Sequence, residues 1–226
     1  MTNRVDFDDY TENYNALLAE KTSFFSSNEA YFSRYKVDLV RQKVKSPVHR
    51  LLEYGCGIGR NIPFLKAAFP EARVMGSDIS VASLEMAQQI NPEVEFFQEN
   101  DKINSRVEPF DLIFVAGVFH HVPLEQRGQV ARRLLERLTP TGQLFVFEHN
   151  PYNPVTRRIV NNCVYDEDAI LISARQLKRI LLDAGFKNMQ VQNCLFIPPG
   201  WKSLLWLESK LKWLPLGGQY VVSATK

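Results

Sequence analysis

The stretch LLEYGCGIGR, residues 51–60, decides how the chain folds: an apolar run ends in an acidic residue and opens into three glycines at alternate positions. Val48, Leu51 and Leu52 supply a short buried strand, Glu53 stands near its carboxyl end, and Gly55, Gly57 and Gly59 remove the side chains that would hold a ligand off the backbone. Residues 61–68 read as a short helix. The pattern therefore predicts a ligand-binding turn that delivers free backbone N–H groups at a helix start. A dinucleotide fingerprint, G-x-G-x-x-G, would put its last glycine at position 60, where the chain has Arg60.

Further matches follow in order, each at the end of the next expected strand. Residues 73–77 read as a second strand ending at Asp78, followed by Ile79 and a Ser80-capped helix through Ile90. A ribose with two hydroxyls is held firmly by one carboxylate that accepts both hydrogen bonds, which makes Asp78 the expected ribose ligand. Residues 94–98 form a third strand leading to Glu99, Asn100 and Asp101, residues 110–115 a fourth leading to Ala116, Gly117, Val118, Phe119, His120 and His121, and residues 142–148 a fifth.

The E-x-G-x-G-x-G run from Glu53 to Gly59, with these downstream matches, resembles the motifs of the class I S-adenosylmethionine-dependent methyltransferases. The resemblance covers residues 48–150 motif by motif and the rest more loosely. It implies S-adenosylmethionine as cofactor, leaving as S-adenosylhomocysteine, and a cofactor site made of Glu53, Gly55, Cys56, Gly57, Gly59, Asp78, Ile79, Asn100, Asp101, Ala116 and Gly117. Within that set it implies a polar side chain against the adenine amino group, with Asn100 aligning best and Asp101 beside it. The HH pair is similar to the family's FDLI…HH motif, beside the methionine part of the cofactor.

Strands alternating with helices call for an α/β fold with a mostly parallel sheet covered on both faces. Residues 124–138 and 173–184 read as helices, the second capped by Ser173 and stopped by Gly185. Residues 188–196 and 219–225 are strand-like without an ordinary crossover between them. The resemblance implies a Rossmann-like seven-stranded sheet in the order 3-2-1-4-5-7-6 with an antiparallel last strand. Residues 1–46 are expected to form an N-terminal helical cap or lid, and residues 47–226 the cofactor-binding domain.

At 226 residues the chain can bury a full core. A net charge of +2 carries no strong nucleic-acid signal. Cys56, Cys163 and Cys194 are odd in number and without a C-x-x-C pair, which argues against a disulfide framework and a zinc site, so no metal is expected. An acidic amino terminus and the absence of an apolar run of about 18 residues point to a cytoplasmic protein.

Acceptor choice is expected to lie in three segments outside the cofactor motifs. Residues 1–46 carry Phe7, Tyr10, Tyr14, Phe24, Phe25, Tyr31, Phe32 and Tyr35. Residues 149–172 hold Asn150, Pro151 and Tyr152, an N-P-Y run placed after the fifth strand rather than after the fourth, together with Arg157 and Arg158. The E-H-N-P-x-N-P sequence here looks like a set of small methyltransferases linked to polysaccharide and natural-product pathways. Residues 198–218 read as an amphipathic helix with Trp201, Leu204, Leu205, Leu207, Leu211, Trp213 and Leu214 among Lys202, Lys210 and Lys212. Such a helix packs on the domain or a second subunit, or meets a membrane through residues 198–216 to reach a lipid- or sugar-linked acceptor.

The expected reaction is methyl transfer to a small or medium acceptor, a hydroxyl of a sugar or natural-product intermediate among the choices. His121 is the candidate base, with His149 and Glu148 behind it, because imidazole removes protons near neutral pH and these positions follow strands four and five. The alternatives are a noncatalytic cofactor-binding scaffold and an NAD(P)-dependent oxidoreductase, the latter opposed by Arg60 and by the lack of a Y-x-x-x-K pair.

Overall fold

The computed structural model describes residues 30–99, 108–163, 166 and 169–226. Its elements run α1 (Ala30–Lys43), β1 (Arg50–Tyr54), α2 (Ile62–Ala68), β2 (Arg73–Asp78), α3 (Val81–Ile90), β3 (Glu95–Gln98) and β4 (Phe110–Ala116). They continue through α4 (Arg127–Glu136), β5 (Leu138–His149), α5 (Pro154–Asn161), α6 (Ala174–Ala184), β6 (Lys187–Cys194), α7 (Glu208–Leu211) and β7 (Gln219–Thr225). The seven strands form one sheet in the order β3-β2-β1-β4-β5-β7-β6, as the resemblance implies. All pairings are parallel except those of β7, which runs antiparallel to both β5 and β6.

Both faces of the central strands are buried, so each strand is apolar at successive positions. Leu52, Ile113, Val115, Leu144, Val146 and Val222 face one core, closed by Ala131 and Leu134 of α4 and Leu177 and Leu181 of α6. Leu51, Leu112, Phe114, Phe145, Phe147 and Val221 face the other, closed by Val37 and Val40 of α1 and Ile62 and Leu65 of α2. The described part of the N-terminal segment is thus a helical layer on the sheet, while Phe7, Tyr10, Tyr14, Phe24 and Phe25 lie outside the described residues. No helix among the described residues is long and apolar enough to cross a membrane.

Local signals place the helices as the sequence predicts. Ser80 accepts the Ser83 N–H at the start of α3, and Ser173 with Gln176 forms a reciprocal cap at α6, which Gly185 ends in the left-handed region. Two expectations need correction. The helix predicted over 124–138 starts only at Arg127 and ends at Glu136, because Gln126 and Arg127 both donate to the Pro123 carbonyl in a turn. Leu138 already pairs with Phe110, so β5 begins before Gly142, with a register shift between Phe110 and Leu112.

The second correction concerns residues 198–218, which do not form one amphipathic helix. A 3₁₀ turn over Lys202–Leu207 leads into the four-residue α7. Pro198 and Pro199 before it and Pro215 after it leave little room for a longer helix. Glu208 fixes the register, its carboxylate accepting the backbone N–H groups of Leu195, Phe196 and Ile197 and the Tyr35 hydroxyl at 2.6 to 3.2 Å.

Glu99, at the end of β3, is buried and takes both Nη atoms of the buried Arg137 at 2.5 and 3.0 Å. Removing one partner of such a pair leaves an uncompensated charge in the interior. Arg137→Leu is expected to cost about 3–5 kcal/mol in urea unfolding; a loss below about 1 kcal/mol would make the pair a surface-like ion pair instead.

Candidate active site

The glycine turn is tied down more tightly than its sequence suggests. Gly55 and Cys56 both donate to the Ser77 carbonyl at 2.8 and 2.9 Å, Gly59 donates to the Cys56 carbonyl at 2.9 Å, and Gly57 donates to Asp78 Oδ2 at 2.7 Å. Four of the turn's N–H groups therefore hold the turn's own shape rather than standing free for a ligand. What the turn offers instead is room. A Cβ at Gly57 would meet nothing within 4 Å, whereas one at Gly55, where φ is +69°, would stand 2.4 Å from Val118 of the loop after β4. That close approach brings the β1 turn and the β4 loop to one crevice at the carboxyl ends of the strands.

Cys56 is buried, its Sγ lying 3.0 Å from where a Gly76 Cβ would be, so its side chain points into the sheet and burial pushes the thiol up. None of the three cysteines is in a disulfide. Asp78 stands at the end of β2 with Oδ1 accepting the Ser80 N–H at 3.0 Å. Burial raises its pKa against the bonds from Ser80, Gly57 and Ile79. Three N–H donors on a carboxylate with about four lone-pair sites leave room for a further partner. Ile79 sits half exposed beside it at the crevice rim. Asn100 and Asp101 lie outside the described residues.

Below the turn lies a pocket of unanswered acceptors. Glu53 is buried; one oxygen accepts from Asn61 Nδ2 at 2.5 Å, while Glu53 Oε2 and Asn61 Oδ1 are buried without a hydrogen-bond partner. Burial raises the Glu53 pKa to about 8, Asn61 and Lys36 working against the rise and Asp78 adding to it. Burial in turn lowers the Lys36 pKa, with the Glu53 charge opposing. Neighbouring acceptors short of donors fit a cationic group that carries several N–H bonds.

The other wall is a cluster of imidazoles and carboxylates. Glu148, on β5, is buried and accepts the Val118 and Phe119 N–H groups at 3.0 and 2.7 Å, while its Oε2 takes His120 Nδ1 at 2.5 Å. Glu148 thus holds the loop after β4, and the bonds from His120 and the two N–H groups keep its pKa low against burial. His120 Nε2 and His121 Nε2 both lie 3.4 Å from the same oxygen, Asp166 Oδ1. Their rings are 4.1 Å apart, and that of His149 is 5.1 Å from His120. Burial works against a charge on His120, but Glu148 and Asp166 more than offset it and raise its pKa to about 9. Burial, with His120 nearby, lowers that of His149 to about 4.

Of the two predicted catalytic histidines, both belong to this cluster, but a histidine depressed that far is a feeble proton acceptor at neutral pH. His121 keeps some exposure on the crevice side. Sequence reasoning missed the pairing role of His120, the clamp role of Glu148, and any role for Asp166 within the acceptor segment. The HH pair was the only signal for the first; Asp166 arrives from a loop with no periodic pattern. Ala116 and Gly117 end β4 as predicted, Gly117 N–H donating to the Phe147 carbonyl.

The N-P-Y run is structural. Asn150 Nδ2 donates to the Pro215 and Gly217 carbonyls, and Asn153 caps α5 while donating to the Leu216 carbonyl. Residues 150–153 and 215–217 are thereby stitched together, with Tyr152, Arg157 and Arg158 left exposed.

Comparison with known proteins agrees with this architecture. The family described as "Methyltransferase domain" matches residues 52–144. A trans-aconitate 2-methyltransferase of Azoarcus sp. (strain BH72) is 29% identical over 152 residues, covering 67% of this chain and 59% of its own length. Thiocyanate methyltransferase 1 of Arabidopsis thaliana is 31% identical over 152 residues, covering 65% and 62%. The chain therefore spans less than two thirds of these relatives. A crystal structure of a SAM-dependent methyltransferase from Archaeoglobus fulgidus shares the fold at a TM-score of 0.68 with 15% identity, covering 94% of this chain and all of that one.

Glu53 gives a pH-dependent signature. Its folded pKa of about 8 exceeds the ordinary 4.5, so the folded chain keeps a proton that the unfolded chain loses, and stability falls as pH rises from about 4.5 to about 8. Glu53→Gln removes that loss. Its urea midpoint is expected to gain on the parent between pH 5 and pH 8; a constant difference over that range would exclude an unrelieved carboxylate.

Proposed function

The chain belongs to the class I S-adenosylmethionine-dependent methyltransferase family, and on that premise we propose that it methylates a small acceptor at oxygen. The observation that carries this reading is the closeness of Glu53 and the histidine–carboxylate cluster: Gly55 of the Glu53 turn meets Val118 of the loop that Glu148 holds, and Lys36 interacts with both carboxylates. S-adenosylmethionine, when bound, supplies a methyl group on a sulfonium centre with a good leaving group. The chain's part is then to bind, align and deprotonate.

Glu53 and Asn61 complement the ammonium of the cofactor, Asp78 accepts from the ribose hydroxyls, and the open face of Gly57 admits the ligand backbone-close. Ala116 and Gly117 form the methionine-side wall, and Asn100 or Asp101 meets the adenine amino group. Alignment of an acceptor behind the methyl group supplies about 7–11 kcal/mol toward the barrier. His121, oriented by Asp166, takes the proton of an acceptor hydroxyl such as that of a sugar or natural-product intermediate.

A second reading, a carboxylate acceptor, is favoured by the partly buried Lys36, which interacts electrostatically with both Glu53 and Glu148, and by the trans-aconitate acceptor in the name of one relative. A carboxylate needs no base. His121→Ala therefore separates the readings: with a hydroxyl acceptor the rate is expected to fall by about 10²- to 10⁴-fold while S-adenosylhomocysteine affinity stays within about twofold. A loss under about tenfold would remove the base role. The preceding question, whether the chain is a methyltransferase rather than an NAD(P) oxidoreductase or an inert scaffold, is answered by thermal shift and turnover. S-adenosylhomocysteine at 100 times its Kd adds about 2.7 kcal/mol, and NAD or NADP is expected to add nothing.

The face around α7 supports a site of action. Trp201, Trp206 and Trp213 are each more than half exposed, beside the exposed Lys202, Lys210 and Lys212. Amphipathic rings among lysines suit the headgroup region of an anionic bilayer, which would bring the enzyme to a lipid-linked acceptor. Co-sedimentation with phosphatidylglycerol vesicles is expected, and Trp206→Ala with Trp213→Ala should abolish it. A concentration-dependent dimer that the same double variant disrupts, without vesicle binding, would assign this face to a homodimer instead.

A further inference from the structure

We propose that His120, His121 and Asp166 form a binding site for one divalent transition-metal ion of zinc type, at the acceptor side of the crevice. The proposal deepens the acceptor-activation reading, but its geometry stands on side chains alone. One ligand atom from each of the three residues lies within 4.8 Å of the other two. More telling, two imidazole Nε2 atoms converge on one carboxylate oxygen, each at 3.4 Å. That is longer than a good N–H···O hydrogen bond, about 2.7–3.2 Å. It is the spacing of ligands around a small ion: metal–ligand bonds of about 2.0–2.1 Å put tetrahedral neighbours about 3.3–3.4 Å apart.

The surroundings complete what such a site requires. Glu148 Oε2 holds His120 Nδ1 at 2.5 Å, which turns Nε2 toward the cluster in the carboxylate–histidine–metal arrangement. Ile170 is fixed against the same loop, its N–H donating to the His120 carbonyl at 2.8 Å and Arg127 Nη2 donating to its carbonyl at 2.6 Å. His120 is buried, whereas His121 and Asp166 keep 17% and 11% side-chain exposure, giving an ion a way in and a fourth coordination position toward the crevice. Two imidazoles and one carboxylate favour zinc, cobalt or iron over magnesium and calcium, which prefer all-oxygen sites.

An ion held there would occupy both Nε2 atoms, so it would replace His121 as base and ease the loss of an acceptor hydroxyl's proton to solvent as a Lewis acid. Ligating imidazoles enter neutral, so binding releases protons.

The test needs no turnover. The chelator-stripped full chain is titrated with ZnCl₂ by calorimetry and with CoCl₂ by visible absorption. One ion per chain is expected, with Co²⁺ giving the intense d–d bands of a four- or five-coordinate site. His121→Ala and Asp166→Asn, each still binding S-adenosylhomocysteine like the parent, are expected to weaken Zn²⁺ binding by more than tenfold. No binding by the parent chain, or equal affinity in parent and variants, overturns the site. Because the readout is metal binding, failure of methyl transfer and failure of the metal site are separate results.

Discussion

The crevice depends on one buried carboxylate. Glu148 sits on β5 where no water reaches it, and it must find donors for its charge within the protein. It finds them in the loop after β4, two backbone N–H groups and an imidazole, at 2.5 to 3.0 Å. That loop packs Val118 against Gly55, so the same constraint sets the distance between the histidines and the glycine turn. The glycine turn and the histidine cluster are held in register by the needs of a single side chain.

How legible this was in the sequence follows from how local each cause is. Strand ends, the Ser80 and Ser173 caps and the glycine run are set by residues within a turn of one another, so the element order and the position of Asp78 could be read directly. The helix over 127–136 was overextended because Thr139 and Pro140 look like a stop signal, while Leu138 is in fact claimed by Phe110 across the sheet. Propensity sees neighbours in the chain; strand pairing does not.

The candidate site divides the same way. Glu53 and the glycines announce themselves, but that the turn's N–H groups are spent on Ser77 and Asp78 is a tertiary fact, invisible until β2 lies beside β1. The histidine pair was visible as a pair, without indication that one member would be clamped by Glu148 and both would face Asp166, 45 or more residues onward. The segment over 198–218 misled because its apolar residues suggest a buried face, whereas Trp201, Leu204, Leu205 and Trp213 stay exposed around a short turn.

Glu208 has a mechanical meaning. It gathers the Tyr35 hydroxyl from α1 and three backbone N–H groups from the chain leaving β6, and so fastens a helix near the beginning of the chain to a loop near its end. Any opening of the crevice must carry these two pieces together, as one lever, or first break a carboxylate away from four donors. A hinge between them would cost the hydrogen bonds of that carboxylate.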